Sequence, residues 1–317
     1  MNHLSSNDFF PVDIDFHKKP VQVRWYDFKN QPFEDPFFER NYTNAVFNAN
    51  MNFVETPLTE LVVASKSVDR AQPKGFIFHM SRCGSTLVSN MFNQLNKNIV
   101  QGEPKLPLKI LGLLNNDNQE YVYALLKSSI ELLGRKRNGS EENLIIKFFT
   151  GTTIFLPAIL KVFPDVPRIY IYRDPVEVLV SNLKGPDQFW IYQAEMTGLT
   201  ARQMTEENTP LVNCAHAIAR ASEAFLESYD KNCLVVDYKQ IGRALLEKLI
   251  VHFNMSFSTV EIDQMMKTMD FYAKEKTRRF FPDGREKQEQ ASAKLRSVAE
   301  EIVGPVYQRL VELTVQL

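Results

Sequence analysis

The chain reads as apolar runs that change period. "GFIFHM" (75–80) is a short continuous apolar run that predicts a buried strand. A polar turn, "SRCGST", follows directly, and then "STLVSNMFNQL", in which Leu87, Met91 and Leu95 line up at helical spacing. The same switch recurs at "LIIKFF" (144–149) into "TIFLPAILKVF", a helix restarted at Pro157, and at "RIYIYRD" (168–174) into "PVEVLVSNL". A long helical stretch from about 203 to 229 leads to a fourth strand, "CLVVDY" (233–238), and the rest is mostly helix. Strands that alternate with helices imply right-handed crossovers and a parallel sheet covered on both faces. The expected fold class is therefore α/β, a P-loop-like parallel sheet flanked by helices, with a helical C-terminal half. Residues 1–56 differ: they are rich in aromatics, Pro and Asp/Asn. Only "PVQVRWYDF" alternates like a strand there, with Val21, Val23 and Trp25 on one face. The segment reads as a lid or edge addition (about 1–60) on one domain spanning 1–317, with the α/β core from 74.

Composition changes this picture little. The chain has 317 residues, 44% hydrophobic and 24% charged, as in ordinary globular proteins. A formal net charge of −1 gives no global field to recruit nucleic acid or anionic membrane. The three cysteines, Cys83, Cys214 and Cys233, are odd in number and lack CxxC spacing, against a disulfide framework or a zinc site. No apolar run reaches the ~18 residues of a membrane span, and the first residues lack a basic-then-apolar leader pattern. The expectation is a cytoplasmic protein without a metal; oligomeric state is left open.

Ligands of such sheets sit beyond the C-terminal strand ends, so the residues after each strand carry the chemistry. In "SRCGST", Gly84 lets backbone approach a ligand, Ser85 and Thr86 offer hydroxyls and a helix cap, and Arg82 adds a forked cation. The helix N-terminus itself favours an anion. The same stretch also reads as a routine capped turn with a solvent-facing Arg. The GxxxxGK[ST] pattern is absent, which weakens a kinase or ATPase reading. Cys83 does not fit a tyrosine-phosphatase nucleophile, because Arg precedes it and residue 88 is Val. After the third strand, Arg173 faces the crevice, Asp174 suits an N-cap and Pro175 the first helical position. Ser181 follows Arg173 by eight residues. Two anion-binding strand ends suit a ligand with phosphates at two places.

"FHMSRCGSTLVSN" followed about ninety residues later by "IYIYRDPVEVLVSNL" resembles the sulfotransferase superfamily. The likeness covers roughly 74–185 and continues weakly through "LVVDYKQI". It implies a co-substrate, 3′-phosphoadenosine 5′-phosphosulfate. Arg82, Cys83, Gly84, Ser85 and Thr86 would then form the loop for its 5′ end, Arg173 and Ser181 would clamp its 3′-phosphate, and Tyr238 would lie near the nucleotide. Arg in place of the Lys of the aryl and steroid branch resembles the tyrosylprotein branch. By the same likeness Glu103, in "VQGEPKLP" and 21 residues after Arg82, is the expected base, helped by a pKa raised on burial. Lys147, 26 residues before Arg173, is expected to stabilise the transition state beside Arg82. Alternatively Glu103 is a surface residue of a Pro-bounded loop, and Lys147 snorkels from a strand end. His79, just before the loop, is a rival base candidate but is expected to be a packed or hydrogen-bonded strand residue. "KEKTRRFFPDGREKQEQ" (274–290) lacks the family's RKGxxGDWK pattern. Arg278, Arg285 and Lys287 are its candidate phosphate contacts and Phe280 or Phe281 its candidate adenine contact, with a solvated charged segment as the alternative. Trp190 and Tyr192 are candidates for an acceptor mouth. The expected acceptor is a hydroxylated small molecule or lipid. A nucleotide kinase and a non-catalytic nucleotide-binding protein remain alternatives.

Overall fold

A computed structural model describes residues 8–28, 33, 35–48, 53–184, 210–272, 275–279 and 283–317. Three strands near the N-terminus, β1 (Phe9–Asp15), β2 (Gln22–Asp27) and β3 (Phe53–Pro57), form an antiparallel sheet in the order β1-β2-β3. The core sheet is parallel and five-stranded: β4 (Gln72–His79), β5 (Asn98–Gly102), β6 (Asn143–Lys147), β7 (Arg168–Tyr172) and β8 (Cys233–Asp237), in the order β5-β6-β4-β7-β8. The chain leaves β4 toward one edge and, after β6, crosses to the other side of β4. Connections thus diverge around the end of β4, the place where ligands of such sheets bind.

The alternation of side chains explains the core. Phe76, Phe78, Leu144, Ile146, Tyr170 and Tyr172 join one apolar cluster, while Ile77, Ile145, Ile169 and Ile171 join another on the opposite face. Both faces are covered, so the middle residues of β4, β6 and β7 are apolar on both sides. The expected helix after each strand forms, at Ser85–Phe92, Leu156–Val162 and Pro175–Leu183. The part of 203–229 that is described is helical at Pro210–Glu227.

The N-terminal region is more built than an edge addition. Its three strands do not pair with the parallel sheet among the described residues. Phe10, Val12, Ile14, Val23 and Trp25 instead join the same apolar cluster as Phe76 and Leu125. Each such side chain contributes about 1.5–3 kcal/mol by burial. The expected inward pair Val23 and Trp25 is fully buried, and Trp25 donates to the Thr56 hydroxyl at 2.8 Å. After β2 comes a helix, Phe38–Asn48, which begins within "NQPFEDPFFERN" (30–41), a stretch whose sequence reads as a turn-rich connection. Its approach to the core is close: a Cβ on Gly102 would fall 1.8 Å from the Pro36 carbonyl oxygen. Gly102 is therefore required by the passage of this segment over the end of β5.

Candidate active site

The turn after β4 concentrates left-handed backbone among the described residues. Ser81, Arg82 and Gly84 have φ of 73°, 48° and 85°. Two adjacent non-glycine residues in the left-handed region are costly and persist only where surroundings hold them. The holding contacts are visible. The Ser81 amide donates to His79 Nδ1 at 3.0 Å, and its hydroxyl donates to buried Asn182 Oδ1 at 3.2 Å. The Cys83 thiol turns inward and donates to the Ile171 carbonyl at 3.0 Å. Burial pushes its pKa up to about 11, so it is neither a thiolate nor a side-chain ligand, and only its backbone faces the loop. Gly84 caps the helix in the left-handed conformation, with no side-chain cap. A Cβ there would also come 2.6 Å from Ile241 and 2.8 Å from the Tyr238 ring. Tyr238 thus lies directly over the loop.

Thr86 does not cap either. Its hydroxyl accepts from Lys147 Nζ at 3.1 Å. Lys147 is fully buried at the end of β6, so the snorkelling alternative is removed. Its ammonium sits 2.9 Å from Glu103 Oε1 and 4.5 Å from the centre of the Phe37 ring. The register of the sheet produces this meeting. Gly102 pairs with Lys147, and the next residue, Glu103, donates its amide to the Lys147 carbonyl at 2.6 Å with φ 53°. Glu103 Oε1 also lies 3.6 Å from His79 Nε2.

The expected direction of the Glu103 pKa is corrected. Burial does push it up, but the Lys147 ammonium and the His79 ring pull harder, and the carboxyl ends well below its ordinary range. Arg82 stands beside this cluster, half-buried, with an Nε that has no hydrogen-bond partner among the described residues. Burial and the charge of Arg40 lower its pKa, while Glu103 opposes them. Arg40 and Phe37 come from the N-terminal segment and were not among the sequence candidates. The only hint in sequence was a cluster of aromatics and Arg in "DPFFER".

The end of β7 is arranged differently. Asp174 caps the next helix, accepting the Glu177 amide at 3.1 Å, with Pro175 in its first turn. Arg173 is buried, and its guanidinium lies 4.1 Å from the centre of the Tyr238 ring. Two of its three nitrogens already have carboxylate partners: Nε donates to Glu177 Oε2 at 2.6 Å, and Nη2 donates to Asp283 Oδ1 at 3.0 Å. Lys287 Nζ holds the other oxygen of Asp283 at 2.9 Å. Burial works against the Arg173 charge, but Asp283, Tyr238 and Glu177 raise its pKa overall. Lys287 joins this group; Arg285 does not, with a side chain 93% exposed and bonded to Glu289. Ser181 is half-buried two turns along the same helix. Arg278 lies on a short strand, Glu275–Arg279. Phe280, Phe281, Trp190 and Tyr192 lie outside the described residues.

No family model matches the sequence, and no curated protein matches it. Solved structures with a similar chain path include sulfotransferases and retinol dehydratase. The sulfotransferase domain from the curacin biosynthetic pathway is 12% identical with a TM-score of 0.49, covering 75% of this chain and 99% of that one. Sulfotransferase STF9 from Mycobacterium avium is 11% identical with a TM-score of 0.46, covering 80% of this chain and 79% of that one. Retinol dehydratase in a complex with retinol and PAP is 15% identical with a TM-score of 0.38, covering 84% of this chain and 89% of that one.

Proposed function

We propose that this chain transfers a sulfuryl group from 3′-phosphoadenosine 5′-phosphosulfate to the hydroxyl of a small molecule or lipid. The observation that carries the proposal is the cluster of Glu103, Lys147 and Thr86 beside the left-handed loop, with Arg82 Nε unpaired among the described residues. A carboxylate and two cations beside a phosphate-type turn are what in-line transfer to an oxygen needs. The loop amides, Ser85, Thr86 and Arg82 would hold the 5′-phosphosulfate, with Tyr238 beside it. Glu103 would take the acceptor proton as the new oxygen–sulfur bond forms. The bond from sulfur to the 5′-phosphate oxygen breaks, and adenosine 3′,5′-bisphosphate leaves. Lys147 and Arg82 would carry the charge that develops on the bridging and sulfuryl oxygens.

The low pKa of Glu103 fits this role in one way. Lys147 is the shared partner of Glu103 and Thr86. An arriving sulfuryl group competes for the ammonium, and the carboxylate, relieved of it, becomes the stronger base. Arg173 would bind the 3′-phosphate, with Lys287 and Ser181 nearby, in competition with Asp283. The Glu103–Lys147 pair, which holds the carboxyl well below its ordinary range and so makes it a weak base, favours a second reading, a nucleotide-binding protein without transfer chemistry.

Thermal unfolding with adenosine 3′,5′-bisphosphate, and separately with ATP and magnesium, tests the binding. A shift with the bisphosphate is expected; a shift with ATP alone would remove the proposal. Turnover with labelled phosphosulfate and a panel of hydroxyl acceptors separates the two readings. Glu103→Gln should keep bisphosphate binding and lose turnover, and equal turnover would remove Glu103 as base.

A further inference from the structure

His79 is the last residue of β4, is only 4% exposed, and lies between the anion loop and Glu103. An amide N–H can only donate, so the Ser81 amide 3.0 Å from Nδ1 requires a lone pair there. The Thr150 hydroxyl approaches the same nitrogen at 3.2 Å. The ring proton is thereby placed on Nε2, the nitrogen 3.6 Å from Glu103 Oε1. We propose that His79 is a positioning residue that couples the conformation of the Ser81–Gly84 loop to the Glu103 carboxylate, through a ring tautomer set by the Ser81 amide. This rests on the proposed role of Glu103 as base.

The coupling runs through specific geometry. Ser81 presents its amide to the ring because its backbone is left-handed, and its hydroxyl is anchored to Asn182 on the helix after β7. A ligand that moves the loop therefore moves the donor that sets the ring. The 3.6 Å separation is longer than a formed hydrogen bond, and such contacts commonly shorten when substrate is bound. In this tautomer Nε2 has no lone pair for an acceptor proton, so His79 orients the base and does not replace it. The other groups facing Glu103 are Lys147 from β6 and the Arg82 charge from the loop, with Phe37 against Lys147.

Two measurements on the ligand-free protein test this apart from turnover. Nitrogen NMR of the wild-type ring should show an unprotonated Nδ1 and a protonated Nε2; the opposite tautomer overturns the proposal. Carbon NMR titration of the Glu103 carboxyl, assigned by its loss in Glu103→Gln, should show a midpoint about one pH unit higher in His79→Leu, because a donor to the charged form is gone. His79→Gln, which keeps an amide donor, should restore most of the shift. An unchanged midpoint in His79→Leu overturns the proposal, and should that variant not fold, the wild-type tautomer decides. If both results are as expected but wild-type protein transfers no sulfuryl group, it is the proposed reaction that has failed.

Discussion

The ends of β4 and β7 both place an arginine between a strand and a helix, yet they reach opposite states of charge. Arg82 has a buried Nε without a partner among the described residues, and its neighbours Lys147 and Arg40 outnumber the one carboxylate, Glu103. Arg173 has two carboxylates on its guanidinium, and Lys287 completes a group of two positive and two negative side chains. An arginine at a strand end shows where a cation can stand. Whether that cation is still free for a ligand depends on what the rest of the chain brings to it. Asp283 arrives from 110 residues further on.

The contrast can be broken most severely at Lys147. Lys147→Met leaves the Glu103 carboxylate without its main partner and should cost about 3–5 kcal/mol of stability, as removing one member of a buried pair does. Adding Glu103→Gln should recover much of that loss in urea unfolding; equal stability of the single and double variants would show that the pair is not coupled. The same pair has a pH signature. The folded Glu103 pKa lies below its ordinary 4.5, so its contribution is fully present above that value and is lost as pH falls through the lower folded value. The stability difference between wild type and Glu103→Gln should therefore shrink in acid below 4.5, and a difference constant with pH would contradict the ion pair.

Gly84→Ala comes next. It places a Cβ at φ 85° and against Ile241 and Tyr238, at a cost of about 1–3 kcal/mol, with loss of bisphosphate binding. Normal binding would mean that the loop is not the anion site. Arg285→Ala should be the smallest, within about 0.5 kcal/mol in stability and without effect on bisphosphate affinity. A clear loss of affinity would bring that exposed side chain back into the site.

Much of the sheet was legible because its strands are apolar on both faces through their middles and run into polar turns. Lys147 stood out as one charge in "LIIK", but the sequence left open whether it snorkels from the strand end or meets an anion, and the structure buries it. The sequence reading of Glu103 assumed a carboxyl alone in an apolar setting, and the sign of its pKa came out reversed because Lys147 is its partner. β1 was missed even though Phe10, Val12 and Ile14 alternate, since Pro11 and two aspartates interrupt the run. Glu177 and Asp283 were not readable as partners of Arg173. One is a helix-turn neighbour whose rotamer decides the contact, and the other depends on how the helix Gly284–Gln290 packs on Pro175–Leu183. His79 reads as a packed strand residue from its neighbours, and only the left-handed Ser81 turns an amide onto its ring.

The central claim is that the β4 end is open to an anion while the β7 end is closed by its own carboxylates. Adenosine 5′-monophosphate and adenosine 3′,5′-bisphosphate differ by one phosphate, so calorimetric titration of both into wild type and Asp283→Asn isolates what the 3′-phosphate contributes in each. That contribution is expected to be small in wild type and about fivefold larger in affinity, on the order of 1 kcal/mol, in Asp283→Asn. A 3′-phosphate contribution equal in the two proteins would contradict the account.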